Sequence, residues 1–239
     1  MRLVQGRVRS RILTGPLAGF AGLLVLLGVL AAVIGLDVAD WVTGVVSGAG
    51  LAALLARALA HHRRDGLGPA DRVTLARAVL ACGVAALTAD SFGGQAPVAI
   101  LVTLSTIALV LDGVDGQIAR RTGTASAFGA RFDMEVDALL ILALSMLAWR
   151  FDKAGVWVIA SGAMRYAFVA AGLCWRWLEA PLPPSRRRKT VCVVQLAALT
   201  IILLPVVTPP LSTAIAAGAL AALTGSFLVD TLWLWQRAA

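Results

Sequence analysis

Long apolar runs recur along this chain of 239 residues, and they restrict its fold more than any other feature. A run of about 20 apolar residues spans the hydrocarbon core of a bilayer as a helix. We expect helices because backbone groups in lipid must be hydrogen-bonded within the segment, and the runs lack the alternating pattern of strands. The predicted spans are residues 16–36, 41–60, 72–89, 97–115, 129–148, 155–175, 190–208 and 211–235.

The composition argues against a large soluble helical core. Hydrophobic residues make up 59% of the chain and charged residues 14%, whereas soluble domains carry about 25% charged residues. A soluble helical protein would also need polar helix faces, which are missing here. The sequence therefore predicts an all-α, polytopic integral membrane protein of the cell membrane.

The loop charges predict an orientation, because Lys and Arg collect on the cytoplasmic side of membrane proteins. With the N-terminus inside, Asp37, Asp40 and Asp90 fall outside, and only Arg150 and Lys153 depart from the rule. The net charge of +8 then faces anionic lipid, and the chain offers no soluble basic domain for nucleic acid. The predicted inner cations are Arg2, Arg7, Arg9, Arg11, Arg63, Arg64, Arg72, Arg120, Arg121, Arg176, Arg186 to Lys189, and Arg237.

The second predicted span is rich in small residues, namely Gly44, Ser47, Gly48 and Gly50. Small residues at this spacing let transmembrane helices approach closely. We expect this span to pack against a neighbouring helix.

A cluster of acids interrupts the apolar pattern between the fourth and fifth spans, in a chain with only 13 acidic residues. Asp112 and Asp115 are three residues apart, and Asp133 and Asp137 are four apart, so each pair lies on one helix face. Turn-forming residues separate the pairs, so antiparallel helices can bring the four carboxylates together. Glu135 is expected near the opposite face of its helix.

Such a cluster predicts a metal site. Intramembrane acids are functional candidates by default because a charge at mid-bilayer is costly. Four neighbouring carboxylates also repel one another, and divalent cations relieve this repulsion. Sites made only of carboxylates suit Mg²⁺, Mn²⁺ or Ca²⁺, and two metals are a recurring clamp for displacement at phosphorus. The spacing therefore points to a metal-dependent phosphoryl-type site at the cytoplasmic membrane face.

The residues around the acids leave two interpretations open. Gly113, Gly116 and Ala119 leave the backbone accessible to a bulky ligand, or they serve helix packing. Arg120 could pair with phosphate, or it could act only in membrane topology.

This stretch resembles the signature of the CDP-alcohol phosphotransferases. The resemblance covers about six spans, from near residue 69 to the C-terminus, with two further transmembrane helices added before it. We therefore expect a segment 1–65 with two extra helices and a six-helix core at 66–239. The matching residues are Asp112, Asp115, Gly116, Ala119, Arg120, Gly129, Asp133 and Asp137.

The resemblance implies an enzyme that displaces CMP from a CDP-linked substrate with an alcohol hydroxyl. It implies that Asp112, Asp115 and Asp133 bind two divalent cations, Mg²⁺ or Mn²⁺. Asp137 would be the general base and could also touch metal. A homodimer is also expected. The residues implied to line the nucleotide pocket are Asp112, Gly116, Ala119, Arg120 and Gly129.

Upstream, "PADRVTLAR" at 69–77 resembles the entry to the family's first core helix. Thr74 and Arg77 would then lie near the cytidine and its diphosphate. Asp71 stands where Asn is common in the family, and it could belong to the pocket or simply cap the helix.

Cations near the seventh span are candidates for binding the acceptor alcohol. Arg188, Lys189 and Thr190 could hold an acceptor phosphate, as nearby cations do in family members with phosphorylated acceptors, or the cations could reflect topology alone. Arg165 in the sixth span needs a partner, so it either pairs with Asp230 or lines the acceptor pocket.

The leading functional hypothesis is transfer of a phosphatidyl group from CDP-diacylglycerol to a small polar alcohol, which can be phosphorylated. A second hypothesis within the family is transfer of the headgroup of a soluble CDP-alcohol to diacylglycerol. A cation-coupled transporter would also bury acids, but such folds show inverted repeats and broken helices, and neither is evident in the sequence.

Overall fold

The computed structural model describes residues 2–61, 67–94, 97–122, 126–180, 182–183 and 185–238, apart from the side chains of residues 2–13, 61, 119, 120 and 127. These residues form α-helices and two short 3₁₀ helices, without any β-strand in the ranges given. The all-α prediction is confirmed. The helices are α1 (Arg2–Ile34), α2 (Val38–His61), α3 (Pro69–Gly93), α4 (Val98–Thr122), α5 (Ala127–Arg150), α6 (Ala160–Cys174), α7 (Arg186–Ile202) and α8 (Leu211–Ala238).

Each predicted span overlaps one of these helices, and within the described ranges 6 segments are long and apolar enough to cross a membrane. Helix α7, with 17 residues, is not among them. Helix α5 is not among them either, since Arg131 and three acids lie near its start. The 6 segments are Thr14–Ile34, Val38–Ala60, Pro69–Gly93, Val98–Ile118, Val156–Cys174 and Leu211–Ala238.

The seventh span ends earlier than the sequence predicted. The expected range was 190–208, whereas α7 stops at Ile202. Pro205 follows shortly afterwards, and proline lacks a backbone N–H and disfavours helical geometry in the residue before it. The residues after Ile202 therefore form a turn, and this part of the prediction was wrong.

The chain divides into two compact units, Met1–Leu140 and Ile141–Ala239. In the first unit α1, α2 and α3 pack on one another in pairs, and α4 packs on α3. Large apolar side chains of α1 and α2 fill this packing and are almost fully buried: Leu23, Leu27, Leu55 and Leu59.

The small residues of α2 largely behave as expected. A Cβ atom added to Gly48 would lie 2.2 Å from Leu23 Cδ2, and one added to Gly44 would lie 2.9 Å from Leu27 Cδ1. These two glycines therefore admit the side chains of α1. Gly50 has no atom within 4 Å of an added Cβ, so the packing prediction was wrong for this residue.

In the second unit, a lysine joins the segment after α5 to the connection between α7 and α8. Lys153 Nζ donates hydrogen bonds to the carbonyls of Leu204 and Val207, at 3.1 and 2.6 Å. Its own carbonyl accepts from the hydroxyls of Ser212 and Thr213, at 2.7 and 3.2 Å. Lys153 departs from the predicted charge orientation, and this use of its ammonium gives a structural reason for a cation there.

A very close helix contact joins α5 and α6 in the same unit. A Cβ atom added to Gly162 would lie 2.3 Å from Leu142 Cα, a backbone atom that cannot rotate away. Gly162 is buried, so the contact requires glycine.

We expect Gly162→Ala to destabilise the protein by about 1–3 kcal/mol, the usual cost of overpacking a close contact. The measurement is the thermal unfolding midpoint of the detergent-purified protein. Gly218→Ala in α8 is the matched control, because an added Cβ there has no atom within 4 Å. Equal midpoints for the two variants would contradict the prediction.

Candidate active site

The start of α3 is fixed by a helix cap. Pro69 occupies the first turn, and the backbone N–H of Gly68 donates to Asp71 Oδ2 at 2.9 Å. Of the two interpretations of Asp71, the structure thus shows the cap. Its other oxygen faces α5, since a Cβ atom added to Gly129 would lie 2.8 Å from Asp71 Oδ1.

The four aspartates meet within the first unit. Asp112 and Asp115 are buried on α4, at 3% and 5% exposure, and Asp137 is buried on α5. The Asp133 side chain is more accessible, at 24%. The helical spacing of three and four residues therefore directs each pair to one face, as the sequence indicated.

Arg77 of α3 lies at the centre of this cluster, and its side chain has no exposed surface. Its Nη1 atom lies 3.1 Å from Asp112 Oδ1 and 3.0 Å from Asp115 Oδ2. The same guanidinium contacts Asp133 and Asp137 directly. Its Nε atom donates to the carbonyl of Ala108, at 3.2 Å. The sequence suggested that Arg77 lies near a diphosphate, and the structure places it against carboxylates.

Thr74, one turn before Arg77, contacts the same cluster. Its hydroxyl lies 3.1 Å from Asp115 Oδ2 and 3.2 Å from the carbonyl of Ala70. Thr74 is 4% exposed. Asp115 therefore has two partners on α3, a hydroxyl and a guanidinium.

The cluster fits divalent cations. Asp112, Asp133 and Asp137 each offer an oxygen, and these oxygens lie within 4.8 Å of one another. Four carboxylates face one guanidinium, so negative charge remains in excess. Asp112 Oδ1 is buried and, although it lies 3.1 Å from Arg77 Nη1, it has no partner with hydrogen-bond geometry among the described residues. Carboxylate oxygens are the ligands preferred by Mg²⁺ and Mn²⁺.

The residues around the aspartates in the chain differ in how far they are exposed or described. Gly113 is exposed on α4, and an added Cβ would have no atom within 4 Å. The side chains of Ala119 and Arg120 lie outside the described part of the structure. Glu135 is half-buried and does not belong to the group of three carboxylates.

The basic segment at the start of α7 contacts α8 in the second unit. Arg187 Nη1 donates to the carbonyl and the hydroxyl of Ser226, both at 2.6 Å. Its Nη2 atom lies 2.5 Å from Asp230 Oδ1. Arg187 was predicted as an inner cation and not as a site residue, although Ser226 and Asp230 are four residues apart and share one helix face.

The acceptor candidates differ in their surroundings. Arg188 lies 3.3 Å from Asp230 Oδ1 and donates to the carbonyl of Pro183. Asp230, considered above as a partner of Arg165, thus contacts two arginines of α7. Lys189 and Thr190 are exposed, and Arg165 is half-buried.

Buried carboxylates around one guanidinium can bind hard cations and, through them, phosphate groups. A model of the CDP-alcohol phosphatidyltransferase family matches residues 67–228, which include all four aspartates and Arg77. No curated protein and no solved structure matches the chain. Because the match covers more than half of the 239 residues and contains the cluster, this chain belongs to the CDP-alcohol phosphatidyltransferase family.

Proposed function

We propose that this membrane transferase moves the phosphatidyl group of CDP-diacylglycerol to the hydroxyl of a small polar alcohol, which can carry a phosphate, and releases CMP. Membership of the family implies phosphatidyl transfer in phospholipid synthesis. The observation that carries the proposal is the buried cluster of four aspartates around Arg77. The donor carries two negatively charged phosphates, and divalent cations bound at this cluster would neutralise their charge.

Two divalent cations, Mg²⁺ or Mn²⁺, are part of this proposal. The proposed ligands are the carboxylates of Asp112, Asp133 and Asp137, whose oxygens lie within 4.8 Å of one another. Asp115 is the fourth proposed ligand, since Arg77 holds its carboxylate in the same cluster. When bound, such cations neutralise the charge of the reacting phosphates. The excess of carboxylates over cationic side chains in the cluster supports this requirement.

Asp137 is the proposed general base. In the reaction, the acceptor oxygen forms a bond to the phosphorus that carries diacylglycerol, and the bond from that phosphorus to CMP breaks. The hydroxyl proton passes to Asp137. Two features support this assignment: Asp137 lies one turn beyond Asp133 on α5, and its side chain keeps 12% exposure.

The proposed nucleotide-binding residues are of two kinds. Thr74 and Arg77 contact Asp115, and we propose that they act on the nucleotide mainly by holding the carboxylates in place. The others are proposed to let the nucleotide approach the backbone of α4 and α5, and they are Asp112, Gly116, Ala119, Arg120 and Gly129.

Four residues of the second unit are proposed to bind the acceptor: Arg165, Arg188, Lys189 and Thr190. The guanidinium of Arg188 is engaged by Asp230 and by the Pro183 carbonyl. Lys189 and Thr190 are exposed, and they are the stronger candidates for an acceptor phosphate. The cationic loops support a cytoplasmic N-terminus and a cytoplasmic active site.

CMP release by the purified protein in liposomes tests the reaction. We expect release with CDP-diacylglycerol plus an alcohol from a panel of polyols and phosphorylated polyols, and little release with either substrate alone. The counter-experiment supplies soluble CDP-alcohols with diacylglycerol. CMP release only in this second arrangement would reverse the proposed direction of lipid transfer.

We expect CMP release to stop in the presence of a chelator and to return with Mg²⁺ or Mn²⁺, because the carboxylates otherwise lack counter-charge. Asp112→Asn should raise the metal concentration needed for half-maximal release. Full activity after exhaustive chelation would overturn the metal requirement.

Asp137→Asn separates proton transfer from metal binding, since it keeps the side-chain volume and removes the charge. We expect turnover to fall by about 10²–10⁴-fold, the usual contribution of a general base, while donor binding persists. Donor affinity and turnover would be measured across a metal titration.

Glu135→Gln is the matched control for this variant, because Glu135 lies on the same helix outside the group of carboxylates, and it should keep most activity. Recovery of Asp137→Asn turnover at high metal concentration would instead make Asp137 chiefly a metal ligand.

A further inference from the structure

Three glycines on successive turns of α1 face α3 and the residues just before it. A Cβ atom added to Gly15 would lie 2.6 Å from Leu67 Cδ1, and one added to Gly19 would lie 2.5 Å from Leu75 Cδ1. Further along, Gly22 faces Val79, at 3.8 Å. Since both sets of residue numbers rise together, the two helices run parallel, with α1 in direct contact over several turns.

The contact is reciprocal and is reinforced by α2. A Cβ atom on Gly83 of α3 would lie 2.8 Å from Leu26 Cδ2 of α1. On α2, a Cβ atom on Gly44 would lie 2.9 Å from Leu27 Cδ1 and 3.3 Å from Ala86 Cβ of α3. Side chains of one helix thus enter glycine gaps of another in both directions, which restricts sliding and rotation of α3.

Arg77 points away from this contact. Arg77 is two residues from both Leu75 and Val79. At about 100° per residue, it therefore lies nearly opposite both of them on α3. The face of α3 that carries Arg77 therefore meets the aspartates, while α1 supports the opposite face. The position of the guanidinium depends on the rotation of α3.

We propose that the two N-terminal helices, which precede the family match, are a positioning element of the active site. By filling the glycine contacts behind α3, α1 holds the rotation that directs Arg77 at the aspartates, and α2 holds α1. Gly19 is the central positioning residue, because it contacts Leu75, which is two residues before Arg77 on α3. The helices thus act on catalysis through the packing of α3, without contacting substrate.

A small rotation is enough to matter. Side-chain ends lie about 5–6 Å from a helix axis, so a turn of about 20° moves them by about 2 Å. A misplacement of about 1 Å can cost on the order of 10²-fold in rate.

The test replaces Gly19 in the full-length protein and rests on the CMP-release assay of the proposed function. Gly19→Val should lower kcat/KM by about 10–100-fold per folded enzyme, because the added methyl groups displace Leu75. Leu75→Ala removes as many atoms as Gly19→Val adds, so the double variant should recover most of the lost kcat/KM. Gly28→Val on the same helix is the matched control, since an added Cβ there has no atom within 4 Å, and it should match the wild type.

The outcomes separate positioning from simple stabilisation. A lower thermal midpoint with unchanged kcat/KM in folded Gly19→Val would overturn the proposal, and so would a double variant that stays as impaired as Gly19→Val. If Gly19→Val does not fold, Gly19→Ala replaces it, and unchanged kcat/KM would again overturn the proposal. Absence of CMP release by the wild type would refute the proposed function instead, so the two failures are distinguishable.

Discussion

The contact between one buried guanidinium and four carboxylates is the interaction on which the rest of the first unit depends. Arg77 has no exposed surface, and it touches Asp112, Asp115, Asp133 and Asp137. An isolated charge in such surroundings is very unfavourable, so each partner requires the others. Because the charges come from α3, α4 and α5, these helices must converge at one place.

This requirement also explains the arrangement of small residues. The two sides of α3 have different tasks: one presents Thr74 and Arg77 to the aspartates, and the other meets the glycines of α1. Lipid provides no hydrophobic driving force between helices, so close packing must hold them. The glycines allow that packing over several turns, and the polar side can then be buried without losing its alignment.

The second unit follows the same principle with different residues. Asp230 joins Arg187 and Arg188, and Lys153 bonds the carbonyls after α7. Here the cations satisfy groups at helix ends and on neighbouring helices. Membrane topology alone would explain the basic run at the start of α7. Two of its arginines, Arg187 and Arg188, nevertheless contact Asp230, whereas Lys189 and Thr190 are exposed.

Much of the fold and of the site could be predicted, because the signals are local. Apolar runs placed the α-helices. The prediction of eight spans was too high, since α5 and α7 are not among the 6 segments long and apolar enough to cross a membrane. The end of α7 was also misjudged, where Pro205 outweighs the hydrophobicity of the following residues. The spacings of Asp112, Asp115, Asp133 and Asp137 indicated a shared face on each helix, and the structure brings all four to Arg77. The family resemblance, confirmed by the match to residues 67–228, rested on these same positions.

The amino-acid sequence by itself determined the membrane environment, the helices and the clustering of the four aspartates. Composition and helical periodicity depend only on residues that are close together in the chain. Tertiary structure alone decided which cation faces those acids and which arginine faces Asp230. Arg77 lies 35 residues or more before the aspartates it contacts, and Arg187 lies more than 40 before Asp230. Such pairings depend on how helices rotate and pack against one another, and sequence spacing carries no information about that rotation.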